Sequence, residues 1–101
     1  MLDLKNLQTE IYQNKVRQDF NVTDVYLEFC YLHEELSEAC RAYYKKLPDV
    51  GEELADVAIY LLGLAEILEV NLEKEIKAKV AKNKKRVYKK INGVSTRIKG
   101  T

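Results

Sequence analysis

From Leu54 to Leu68 the chain carries only two charged residues, Asp56 and Glu66, and no proline. The stretch is introduced by Leu47-Pro48-Asp49. Proline pushes the residue before it out of helical geometry, and Asp49 with Glu52 three residues on reads as a capping box opening a helix from about Val50 to Glu69. A helix apolar nearly all round must be covered on nearly all sides. A chain of 101 residues has room for only three companion helices, and a domain of this length buries roughly 60–65% of its unfolded surface. The expectation is that another subunit helps to cover this segment.

The companions are legible from hydrophobic spacing. Leu4, Leu7, Ile11 and Val16 recur at three to five residues and predict a short helix from residue 2 to about 18. Asn21 or Thr23 can cap a second helix to about Lys46, on which Val25, Phe29, Leu32, Leu36, Ala39 and Tyr43 recur every three or four residues. Asn71 caps a fourth, from Leu72 to about Tyr88, with Ile76, Val80 and Val87 as a thin apolar stripe. Asn92-Gly93 follows, leaving Val94 to Thr101 as a tail. With four glycines and one proline the chain lacks the turns of a sandwich or barrel. The expected class is all-α, a four-helix bundle in one domain over 1–101 with a basic tail at about 91–101, completed by subunit association.

A net charge of +1 hides a division along the chain. Residues 1–73 hold six basic against 15 acidic residues, and residues 74–101 hold 11 against one. An acidic body with a basic end fits a cation together with an anionic ligand, or a tail for nucleic acid or membrane. Cys30 and Cys40 on one helix lie about 15 Å apart along its axis, too far to bridge. Free thiols suit a reducing compartment. The longest uncharged apolar run, Val57 to Ala65, is nine residues, against about 20 for a membrane span, and no basic stretch leads into an apolar run at the start. A cytoplasmic protein with no membrane partner is expected.

The chemistry lies in carboxylates. Glu35 and Glu38 are three apart on the second helix, and so are Glu53 and Asp56 on the third, so each pair shares one helix face. In an antiparallel hairpin centred near residues 46–48, Glu38 comes level with Asp56, and within a turn Glu38 meets Glu53 and Glu35 meets Asp56. Four carboxylates gathered this way repel one another unless a cation sits among them. An all-oxygen donor set suits Mg²⁺, Mn²⁺ or Ca²⁺ rather than zinc or copper. Di-iron bundles use Glu-x-x-His, and the single histidine, His33, makes no such motif; it points about 100° away from Glu34 and reads as structural. Mg²⁺ is preferred because it is usually shared between protein carboxylates and substrate phosphates. The alternative is two solvated acidic faces, with Asp49, Glu52 and Glu53 favoured by a helix N-terminus. Asp56 weighs against it, lying a turn inside the apolar stretch.

Glu34-Glu35-x-x-Glu38 followed by Glu53-x-x-Asp56, the run Asp56-Val-Ala-Ile-Tyr60-Leu-Leu, and Lys79-x-x-x-Asn83-x-x-Arg86-x-Tyr88 together resemble the MazG-like all-α nucleoside triphosphate pyrophosphohydrolases over about residues 23–88. The resemblance implies hydrolysis of a (d)NTP to the (d)NMP and pyrophosphate, in nucleotide-pool housecleaning, by a homodimer or dimer of dimers with its site at an interface. It implies Glu35, Glu38, Glu53 and Asp56 as ligands of Mg²⁺, with Mn²⁺ as a substitute, and Glu34 as the group that orients or deprotonates the attacking water. Tyr60 would contact sugar or base, and Lys79, Asn83 and Arg86 would hold phosphates from one stripe of the fourth helix. The related phosphoribosyl-ATP pyrophosphohydrolases place Tyr-His soon after the aspartate, where this chain has Ile59-Tyr60, which argues against that branch. Tyr26, Tyr31, Tyr43 and Tyr44 read as core or interface. A non-catalytic helical module that binds nucleic acid or an acidic partner through residues 74–99 is the competing class. Nucleic acid is disfavoured because only one aromatic, Tyr88, accompanies the lysines.

Overall fold

The computed structural model describes residues 1–101. Four helices, α1 (Leu4–Arg17), α2 (Val25–Tyr44), α3 (Val50–Ile67) and α4 (Leu72–Lys85), are followed by two short antiparallel strands, β1 (Tyr88–Ile91) and β2 (Val94–Arg97). The class is all-α, as expected, with a hairpin appended.

The caps explain where the helices begin. The Asp3, Asp24 and Asn71 side chains accept the N–H groups of Asn6, Leu27 and Lys74 at 3.0–3.1 Å, each satisfying one orphan donor of its helix. Asp24 rather than Asn21 or Thr23 therefore caps α2. Asn21 brackets Asp24 instead, accepting its N–H and donating to its carbonyl. Asp49 stands at the N-cap of α3 but makes no capping bond, so the capping box expected with Glu52 does not form.

The stops follow one pattern without glycine. Asp19, Lys46 and Glu69 adopt left-handed backbone after α1, α2 and α3, with φ of 57–59°. The next N–H groups, of Phe20, Leu47 and Val70, then donate to the carbonyls of Lys15, Ala42 and Ala65, the bonding of a Schellman motif. Pro48 directly follows the second stop. Helix α4 ends earlier than its spacing suggests, because Arg86 is extended (φ −76°, ψ 138°). Asn92 and Gly93 both have positive φ, 53° and 78°, which is the two-residue type I′ turn of a hairpin. The tail, which the sequence left as either extended or mobile, is extended and paired as a strand, and its end is tied back: Ile98 N–H donates to the Val87 carbonyl and Val87 N–H to Thr101 Oγ1.

Helix α3 is the centre, packed against α2 on one side and α1 on another. Its buried residues Leu62, Gly63, Leu64 and Ala65 lie toward its C-terminal end, and Ala39 and Ala42 are the buried apolar residues of α2. Glu66, one of its two charges, is taken up by α1: Lys5 Nζ donates to it at 2.8 Å, and Gln8 and Thr9 add further bonds. The Lys5 bond holds the Glu66 carboxyl below its ordinary value against the opposing effect of burial. Fully buried Gln8 also donates to the Val70 carbonyl and accepts from Leu72 N–H, so one side chain joins α1 to the α3–α4 turn. Gly63 lets α1 come close, since a Cβ there would stand 2.8 Å from Lys15 Cε. A glycine in a helix interior costs about 0.5–1 kcal/mol.

Helix α4 buries no residue and packs only on α1. The radius of gyration is 17.2 Å, against about 13 Å for a compact domain of this length. Phe29, Leu36 and Tyr43 of α2 and Leu54, Leu61 and Leu68 of α3 are all exposed, at seven-residue intervals. With Tyr31 set against Tyr60, Phe29 comes level with Leu61 and Leu36 with Leu54, and Tyr43 and Leu68 extend this uncovered apolar strip at its two ends. No helix is long and apolar enough to cross a membrane.

Candidate metal centre

The register of α2 against α3 builds the centre. Tyr31 and Tyr60 meet edge to face with ring centroids 6.1 Å apart, and from that pair each helix runs one turn to Glu35 or Asp56 and a further turn to Glu38 or Glu53. Carboxylate oxygens of Glu35, Glu38 and Glu53 come within 4.8 Å of one another. Asp56 lies beside this group, close enough for its charge to act on both Glu35 and Glu53. It is not one of the three oxygens that converge.

The electrostatics are those of a site short of positive charge. Desolvation raises the Glu35 carboxyl above its ordinary value, followed by the charges of Glu38 and Asp56, a hydrogen bond with Glu38, and the charge of Glu53. Glu53 is raised by desolvation, then by Glu38, Asp49, Asp56 and Glu52. Oε2 of Glu35 and Oε2 of Glu53 are buried without any hydrogen-bond partner. Buried carboxylate oxygens normally have one, and an unmet pair beside two more carboxylates fits a bound cation. With oxygen donors alone, the set suits a hard divalent ion.

The remaining candidates are distributed unequally. Glu34 is exposed on α2 and lines an open depression with Glu38, His33, Ser37 and Arg41. Tyr60 stands one turn beyond Asp56, its phenol raised first by burial and next by the Glu35 charge, so that it stays a proton donor. Lys79, Asn83 and Arg86 are not brought to the carboxylates within one chain: α4 packs on α1, and no hydrogen bond or ion pair joins these three to the cluster. Arg86, expected on one helical stripe with the other two, leaves it because its backbone is extended, and its Nε is buried without a partner.

Several polar residues beside the centre escaped the sequence reading. Asp49, taken as a cap, has an unpaired buried Oδ1 and adds its charge to that on Glu53. Lys15 of α1 and Glu28 of α2 form a buried ion pair, their side chains 8% and 1% exposed. Asn21 Nδ2 donates to the other Glu28 oxygen at 3.2 Å. The available signal was spacing: Glu28, Tyr31, Glu35 and Glu38 fall on one face of α2 at intervals of three and four.

No protein-family model and no curated protein matches the chain. A solved structure similar to it is the MazG-like pyrophosphohydrolase of cyanophage S-2L, bound to dGDP and three catalytic Mn²⁺ ions per active site, with a TM-score of 0.71 and 27% identity over 97% of this chain and 99% of that one. The chain is MazG-like. In this MazG-like chain the carboxylates stand on the two central helices, and the sequence that carries the likeness extends through the end of α4.

Proposed function

We propose that the chain is a Mg²⁺-dependent nucleotide pyrophosphohydrolase, which cleaves a (d)NTP to the (d)NMP and pyrophosphate in nucleotide-pool housecleaning, with Mn²⁺ as a substitute metal. The observation that carries this reading is the convergence of Glu35, Glu38 and Glu53 with two buried, unpartnered oxygens among them. The Mn²⁺ and dGDP bound by the S-2L protein support a divalent ion and a nucleotide as the ligands of this fold.

Glu35, Glu38, Glu53 and Asp56 hold the metal. The chemistry that a bound Mg²⁺ supplies is neutralisation of phosphate charge and acidification of the attacking water. Glu34 takes the proton of that water as its oxygen bonds to the α-phosphorus. The bond from the α-phosphorus to the bridging oxygen breaks, and pyrophosphate leaves with the electron pair. Tyr60 bears on the sugar or base. Lys79, Asn83 and Arg86 hold the phosphates as donors to anionic oxygens.

Because α4 stands away from the carboxylates of its own chain, those three donors are assigned to the site of a second copy. The uncovered face of Phe29, Leu36, Tyr43, Leu54, Leu61 and Leu68 supports the same association, since a seven-residue apolar repeat on an antiparallel pair suits packing against another such pair. The working unit is a homodimer or a dimer of dimers.

Purified protein is expected to release pyrophosphate from a (d)NTP only with Mg²⁺ or Mn²⁺. Glu38→Gln and Asp56→Asn are each expected to abolish release while leaving helical circular dichroism intact. Activity without metal, or unchanged activity in both variants, removes the site assignment.

A further inference from the structure

The buried pair Lys15–Glu28 has no part in the metal chemistry, yet it lies on the same helix face as the carboxylates. Seven residues separate Glu28 from Glu35, about 10 Å along α2, which is the reach of a nucleoside from its α-phosphate to the far edge of its base. At Glu28, and reaching as far as Tyr31 one turn short of Glu35, lies a cavity of about 340 Å³, lined also by Lys15, Phe20, Asn21 and Tyr60. It adjoins a pocket of about 290 Å³ in which Glu10, Asn14 and Lys15 accompany five apolar or aromatic residues, Phe20 and Tyr60 among them. A largely apolar pocket with a few polar groups that fix orientation suits a nucleobase.

The polar end has a definite pattern. The Lys15 ammonium has three donors: one goes to Glu28, and the group sits 4.9 Å from the centre of the Tyr60 ring. Glu28 has about four acceptor positions. Lys15 uses one, on Oε1, and Asn21 uses one, on Oε2. Asn21 Nδ2 is fully engaged by Glu28 and the Asp24 carbonyl. Two Lys15 donors and two Glu28 acceptors therefore remain, and a base edge lying across the pair meets donor, then acceptor, then acceptor, in that order. That is the order cytosine offers, and its complement is guanine, whose pairing edge presents the O6 acceptor and then the N1–H and N2–H donors.

The pair is also held in place. Gly63 lies under the Lys15 stem, where any Cβ would displace it, and Asn21 is fixed by two bonds to the Asp24 backbone. The buried ion pair thus lines the cavity with unfilled hydrogen-bonding valences and is supported from both sides.

We infer that Lys15 and Glu28 read the base, that O6 of guanine accepts from Lys15 while N1–H and N2–H donate to Glu28, and that the nucleotide taken is therefore a guanine nucleotide. The inference rests on the proposed pyrophosphohydrolase reading for the placement of the phosphates, but base binding itself needs no turnover.

Two measurements separate the two ideas. Calorimetry with dGMP, dAMP, dCMP and dTMP on metal-free protein tests the base site alone, and dGMP is expected to bind roughly 10²-fold more tightly than the others. Pyrophosphate release from the four dNTPs with Mn²⁺ tests the reaction. Preferential dGMP binding without release upholds the base site and removes the reaction. Release that favours another base, with no dGMP preference, does the reverse. Glu28→Gln leaves Lys15 buried without its partner and can unfold the chain, so the deciding variant is the double substitution Lys15→Met, Glu28→Met, which leaves no lone buried charge. Its base preference is expected to collapse by about 10²-fold. Inosine monophosphate, which lacks N2–H, is expected to bind the wild-type protein about tenfold less tightly than the guanine nucleotide. An undiminished guanine preference in the folded double variant overturns the assignment.

Discussion

The α2–α3 pair and the α4–hairpin segment are opposites in charge and in packing. The first gathers Glu35, Glu38, Glu53 and Asp56 around the best-buried helix of the chain. The second carries 11 of the 17 basic residues, buries none of its helix and touches the rest only through α1. Strong opposite charges on one flexible chain tend to collapse onto each other. Here they are kept apart, with the basic helix clipped to α1 by Glu73 and Gln8 at its first turn. Such a separation leaves both halves unneutralised from within the chain: no basic side chain pairs with the carboxylate cluster, and of the basic residues in the second segment only Lys77 stands near an acid, Glu73 at 3.9 Å. It makes sense if each half meets its complement in an assembly, the metal and triphosphate lying between two copies.

The strongest way to break that comparison is complementation. On the proposed reading Asp56→Asn removes a metal ligand and Arg86→Ala a phosphate donor, and each is expected to lower pyrophosphate release by about 10²-fold or more. If the phosphate donors act on a second copy, refolding the two inactive variants together restores sites that carry both intact sets. Restored release in the mixture supports the shared site. If each chain serves its own carboxylates, mixing restores nothing.

A smaller effect tests the apolar face. Leu61 stands in the middle of the row on α3 and is 42% exposed in the single chain. Leu61→Glu is expected to leave the monomer folded, because the site is already open to water, and to shift the sedimenting species toward one chain. Activity at low protein concentration falls about tenfold or more and recovers as concentration rises, as mass action requires. A variant that sediments as the wild type shows that another surface makes the assembly.

The two regions also differ in how far they could be foreseen. The carboxylate pairs were legible because a spacing of three on two helices forces each pair onto one face, and the Pro48 break fixes the level at which they meet. The ends of α1, α2 and α3 were legible to within two residues, but not the backbone that makes them, because Asp19, Lys46 and Glu69 turn left-handed without the glycine that usually announces it. Asn92-Gly93 was visible but ambiguous, since the same dipeptide serves a helix end and a type I′ turn, and Tyr-Lys-Lys-Ile lacks the alternation that marks a half-buried strand. Lys15 with Glu28 was hidden for a different reason. Two charged residues on separate amphipathic helices look solvated until tertiary packing closes over both.

The smallest effect concerns the carboxylates without their metal. Glu35 and Glu53 are raised in the folded state, so between the ordinary glutamate value of 4.5 and their folded values the native chain binds more protons than the unfolded one. Stability therefore falls as pH rises through that window, opposite to the usual behaviour of an acid paired with a cation. Glu66 runs the other way: its lowered carboxyl contributes stability above the ordinary value that is lost as pH falls through its folded one. A Glu66→Gln background removes this opposing contribution, although it also removes the Lys5 contact and lowers stability at every pH. In that background, urea midpoints of the chelator-treated protein are expected to decline as pH is raised from 4.5. Excess Mn²⁺ reverses the decline, because the metal binds the deprotonated carboxylates and binds them better as protons leave. The cation then supplies what the basic half of the same chain does not reach. Midpoints that climb with pH without metal mean that Glu35 and Glu53 are already neutralised from within the chain, and the contrast between the two halves disappears.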